Sequence, residues 1–148
     1  MSIKTSTGFR AYRAVTGSTK QALDGGLIKF YDGAEPATAD AAATGNLLWT
    51  VSLDGNGTGL TIDPVAVNGN AVKPSAAVWA GATLAGTPTY FRFVAPGDDG
   101  ALSLTQRRVQ GKCGNSADSD IYLSAPVLTT NASATAKALD NLALVDLN

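Results

Sequence analysis

From Leu27 onward the apolar residues recur with a period of two, and no other property of the chain constrains its fold as tightly. In Leu47-Leu48-Trp49-Thr50-Val51-Ser52-Leu53 every odd position is apolar, while Thr50 and Ser52 point the other way, as in a half-buried antiparallel strand. The next residues, Asp54-Gly55-Asn56-Gly57-Thr58-Gly59, form a turn cluster able to supply positive φ angles, and Leu60-Thr61-Ile62 resumes extended chain. A short strand is predicted after Gly26, and further strands at 76–80, 89–94, 107–112, 120–124 and 139–147, with Gly, Pro, Asn or Asp in nearly every gap. In Thr89-Tyr90-Phe91-Arg92-Phe93-Val94 the core face takes Phe91 and Phe93 and leaves Tyr90 and Arg92 opposite, which suits a central strand. About eight strands without intervening helices predict an all-β, antiparallel β-sandwich, jelly-roll-like or Ig-like. Its expected core is Ile28, Phe30, Leu47, Trp49, Val51, Leu53, Trp79, Phe91, Phe93, Val109, Ile121, Leu123, Leu142 and Leu144.

Helical spacing is confined to the front of the chain. Phe9, Tyr12, Arg13 and Val15 precede Thr16-Gly17, and Ser18 stands three residues before Gln21, the capping-box interval, with Gly25-Gly26 as a stop after Leu23. Two short helices cannot make a bundle alone. Residues 1–25 are therefore expected to be an N-terminal arm of short helices and 26–148 the sandwich domain. As the amphipathic part of a β chain, the arm offers Phe9, Arg10, Tyr12, Arg13 and Lys20 as candidate contacts to another subunit, or else caps one end of the sandwich.

With 148 residues, one hydrophobic core is expected. Charged residues make up 16% of the chain and the net charge is -1, so no basic stripe is available for a nucleic acid. The N-terminus lacks a signal-peptide pattern and no apolar run reaches bilayer length, which predicts no membrane association. The chain contains no histidine, which removes the commonest general base and imidazole metal ligand. Asp98-Asp99 and the Asp118, Asp120 pair lie in polar loops and read as solvated turn formers rather than catalytic carboxylates. The loop from Asp54 begins like a calcium loop but has Val65 where a bidentate glutamate is needed. Gly111-Lys112 lacks the upstream glycine of a phosphate loop, Gln106 standing there instead. Cys113, the single cysteine, reads as a small buried thiol. No catalytic residue, cofactor or metal is expected, and the chain is not expected to be an enzyme.

Several segments carry a family resemblance. Gly25-Gly26, Ile28 and Tyr31, followed by Gly33, Pro36-Ala37 and Ala39-Asp40-Ala41-Ala42, together with Gly86-Thr87-Pro88-Thr89-Tyr90-Phe91-Arg92-Phe93, resemble small virion structural proteins of tailed bacteriophages. The resemblance implies a non-enzymatic particle component assembled in the host bacterial cytoplasm and located in the virion. Its implied role is capsid decoration or cement, with the major capsid protein or other virion proteins as partners and a homo-oligomeric state. Tail or head-tail junction components are variants of this expectation. The alternative is a host-surface carbohydrate recognition module, in which Tyr31, Tyr90 or Tyr122 would stack on sugars.

Overall fold

A computed structural model describes residues 3–135 and 137–139, and the backbone of 143–144. The fold is all-β, antiparallel and sandwich-like, with a short N-terminal helical segment. Its strands are β1 (Lys4–Thr5), β2 (Leu27–Tyr31), β3 (Leu47–Leu53), β4 (Ala71–Val72), β5 (Trp79–Gly81), β6 (Tyr90–Val94), β7 (Arg108–Gly114), β8 (Ile121–Tyr122), β9 (Lys137–Ala138) and β10 (Ala143–Leu144). The main sheet runs β1-β7-β6-β2-β3-β5-β9, with β8 added to β7 as a short parallel pair. A separate ladder joins β4 to β10.

Alternation places Ile28, Phe30, Trp49, Val51, Phe91, Phe93 and Val109 on the inner face, all buried. Phe30 stacks on Trp49 with centroids 4.5 Å apart, and Trp79 meets Phe93 edge-on at 6.3 Å. Such pairs add to the stabilisation that comes from burying their area. The layer closing this face consists of helices and extended segments rather than a second complete sheet, contributing Phe9, Leu23, Leu60, Ile62, Leu123, Leu128 and Leu139. Ile121 is buried as expected.

Leu47 and Leu53 depart from the expected core. The pairing of β2 with β3 slips between Phe30 and Tyr31, so that Phe30 faces Trp49 but Tyr31 faces Leu47. The extra residue is Leu48, which is buried, whereas Leu47 is 38% exposed. Leu53, at the end of its strand, is partly buried against the core. Leu142 and the side chain of Leu144 lie outside the described residues.

Both expected helices form: α1 (Thr7–Val15) and α2 (Thr19–Leu23). Ser18 and Gln21 make the full reciprocal capping box. Ser6 caps α1 by accepting from Phe9 N at 3.1 Å, and the same buried hydroxyl accepts from Arg108 N at 2.9 Å and donates to Gln106 O at 2.7 Å. One side chain thus fixes a helix start and its docking onto β7. Gly8 lets α1 sit against the 103–107 loop, because a Cβ there would fall 2.2 Å from Thr105 O. The segment expected to be an arm is docked on its own chain, with β1 paired to β7 and Phe9 fully buried.

Candidate functional site

The five candidate contact residues have separate fates. Phe9 lies in the core and presents no surface, a correction to its expected contact role that follows from its position on the inward face of α1. Lys20 is committed within the chain, its Nζ reaching Asp24 Oδ2 at 2.9 Å and Ile62 O at 2.6 Å, which ties α2 to the extended 60–62 segment. Arg13 lies over the Phe9 ring at 5.8 Å. Arg10 is exposed and hydrogen-bonds Thr5 O and Thr7 Oγ1. Tyr12 is partly buried and carries the Arg107 guanidinium over its ring at 4.5 Å.

Beside Tyr12 a shallow groove of about 520 Å³ separates α1 from the 104–107 loop, lined by Ala11, Tyr12, Val15, Leu104 and Arg107 among others. Val15 is 88% exposed, Leu104 63% and nearby Leu102 73%, while Arg10 and Arg107 have no carboxylate partner among the described residues. Leu102, Leu104 and Arg107 were missing from the sequence candidates. The signal available was Ala101-Leu102-Ser103-Leu104, two aliphatics at period two in a segment with no strand partner.

The outer face of the sheet is also buried, contrary to the half-buried pattern expected. Arg92, Arg108, Gln110 and Tyr90 have no solvent exposure. Two segments cover them, 32–46 between β2 and β3 and 95–101 after β6. Arg108 binds Asp98 through two parallel contacts, Nε to Oδ2 at 2.5 Å and Nη2 to Oδ1 at 2.7 Å, and also donates to Ala101 O at 2.7 Å and Ala39 O at 3.3 Å. Gln110 Nε2 donates to Pro36 O at 2.8 Å and to Glu35 Oε1 at 3.1 Å; Lys4 Nζ reaches the same Glu35 oxygen at 2.9 Å. Tyr90 Oη donates to Thr44 O at 2.6 Å and accepts from Thr44 N at 2.9 Å. Asp98 does form a turn, accepting from Gly100 N at 2.8 Å, but it is buried rather than solvated, because the guanidinium of Arg108 recruits it inward.

This layer also accounts for the tyrosines. Tyr31 and Tyr90 stack on each other at 5.2 Å inside the protein, so neither is available to a sugar, and burial raises the Tyr31 pKa above its usual value. Tyr122, at 66% exposure, is the one of the three on the surface. Asp118 is exposed and held by the Ser116 hydroxyl, which together with its other hydrogen bonds keeps its carboxyl below the usual range. Among the described residues no group of acids and cysteine is placed to hold a metal ion, and no helix is long and apolar enough to cross a membrane.

Cys113 is buried on the inner face, where desolvation pushes its thiol up to about 12. An unfolded chain ionises this thiol from about pH 9, whereas the folded chain keeps it neutral. Its contribution to stability is therefore complete below about pH 9 and is lost as the pH rises toward 12. Denaturant midpoints measured between pH 8.5 and 11 should fall less steeply for Cys113→Ala than for the parent chain, and equal slopes would refute the burial effect.

Comparison of the chain with protein-family models, with curated proteins and with solved structures finds no match.

Proposed function

We propose that the chain is a non-enzymatic structural protein of a tailed-phage virion. Within that class it acts as a homo-oligomeric capsid decoration or cement protein, bridging neighbouring capsid subunits. The observation that carries this reading is the surface beside α1. There Val15 and Leu104 stand exposed along a groove that Tyr12 and Arg107 also line. Contiguous exposed aliphatics mark contact surfaces, and arginine and tyrosine are enriched where proteins meet. The groove is also held rigid, because Ser6 and Gly8 fix α1 against the sheet and the 103–107 loop.

The phage-like segments at 25–42 and 86–93 supply the particle context. A histidine-free chain whose buried polar side chains Asp98, Arg108 and Gln110 anchor its own covering segments supports a mechanical role rather than a catalytic one. Each bound copy would bury surface on two capsid subunits at once and so raise the free energy needed to separate them.

Two measurements test the proposal. In purified virions the chain should be present in numbers comparable to the major capsid protein, and particles lacking it should assemble yet release their genome at lower temperature. The double variant Val15→Asp, Leu104→Asp should fold normally and fail to load onto such particles. Absence of the chain from virions would overturn the proposal, and a few copies confined to the tail would replace decoration with a tail role.

A further inference from the structure

Arg92 sits near the centre of the buried outer face with an incomplete set of partners. Its Nε donates to Gln110 Oε1 at 2.7 Å, but Nη1 and Nη2 are shielded from solvent and meet no acceptor. Each of those nitrogens carries two N–H groups, and a guanidinium in a protein keeps its proton. The site therefore holds an uncompensated positive charge as well as unsatisfied donors, and both are costly away from water.

The neighbours deepen the deficit. Register places Lys29 of β2 on one side of Arg92 and Gln110 of β7 on the other, with Lys4 of β1 beyond Gln110. Five cations thus share this face: Lys4, Lys29, Arg92, Arg108 and, at its exposed end beside Asp118, Lys112. Its carboxylates are already engaged. Asp98 is held by both nitrogens of Arg108, Glu35 is shared between Lys4 and Gln110, and Asp40 receives Thr7 N and Oγ1 at 2.8 Å each. The aromatic rings do not compensate either, because Tyr31 and Tyr90 stack on each other and the cation–π contacts among the described residues belong to Arg13, Arg107 and Lys137.

We propose that Arg92 binds a small monovalent inorganic anion, of the size of chloride, between Nη1 and Nη2 and the 32–46 segment that closes this face. A water molecule would satisfy donors but leave the charge, whereas an anion answers both requirements. The lack of solvent exposure selects a compact spherical ion over sulfate or phosphate. Entry requires the 32–46 segment to lift from its anchors on Arg108, Gln110 and Tyr90, so the bound ion also holds that segment closed.

The test is thermal unfolding of the full chain at constant ionic strength, with chloride exchanged for gluconate, bromide or sulfate. Above the dissociation constant, each tenfold rise in chloride should raise the midpoint by about 3–6 °C. Bromide should substitute for chloride, while gluconate and sulfate should not. Arg92→Met should remove the chloride dependence. Should that variant not fold, anomalous diffraction from bromide-soaked parent crystals decides, with a peak expected between Nη1 and Nη2. A midpoint indifferent to the anion, a Met variant as chloride-sensitive as the parent, or density for water alone at those nitrogens would overturn the proposal.

Discussion

Asp98→Ala should cost about 3–5 kcal/mol of unfolding free energy, the usual penalty for leaving one member of a buried ion pair without its partner. The carboxylate lies in a loop but is buried, and it accepts two parallel hydrogen bonds from Arg108, at 2.5 and 2.7 Å. Removing it strands a fully buried guanidinium that retains only backbone carbonyls, chiefly Ala101 O. Because those carbonyls belong to the 39–41 and 101 segments, the loss should reach the covering layer before the sheet. Chemical denaturation gives the magnitude, and hydrogen exchange should show early loss of protection in 32–46. The double variant Asp98→Ala, Arg108→Met should recover much of the loss, since an apolar pair of similar bulk needs no counter-charge. A single variant within 1 kcal/mol of the parent, on the order of a surface pair, would show that the pair is not buried in solution.

Phe91→Ala should be comparably severe, at about 3–5 kcal/mol, because it opens a cavity at the middle of the inner face. Phe91 is fully buried, lies opposite Phe30 on β2 and Gly111 on β7, and has its ring 6.2 Å from that of Phe30. Gly111 makes room for the ring: a Cβ there would lie 3.0 Å from Phe91 Cε1 and 2.7 Å from Asp120 Oδ2. The cavity is thus bordered by backbone on one side and cannot collapse fully, which places the cost toward the upper part of that range. Calorimetry or denaturant unfolding measures it, and Phe91→Leu should fall between the two. A loss below 1 kcal/mol would mean that the inner face is not packed as described.

The inner face was legible because burial on one side of a strand leaves a period-two record, and Phe91, Phe93, Trp49 and Val51 carry that record plainly. The helices were legible for a different reason, since Ser18 and Gln21 satisfy backbone groups at a fixed spacing that requires no tertiary information. The outer face was not legible. Arg92, Arg108 and Gln110 alternate with apolar residues as solvent-facing side chains do, and their burial depends on a distant segment, 32–46, whose small side chains advertise no packing of their own. That segment works through main-chain carbonyls at Pro36, Ala39 and Thr44, which have no signature in side-chain chemistry. Leu47 was misassigned because a one-residue slip opposite Tyr31 exchanges the facing of neighbours, and nothing in Leu47-Leu48 distinguishes the two registers. On α1, Phe9 lies inside, Tyr12 three residues on is partly buried on the same side, and Arg10 is at the surface, as the helix phase dictates once the sheet's position is known.

The order of the main sheet bears on how copies of the chain behave when crowded. Among the described residues it ends on a two-residue strand at each side, β1 at one edge and β9 at the other, and each contributes a lysine, Lys4 and Lys137. Short charged borders give an incoming backbone little unpaired ladder to extend. At high local density the protein is therefore guarded against strand-to-strand polymerisation and amyloid-like growth, and its encounters with other copies are left to side-chain surfaces.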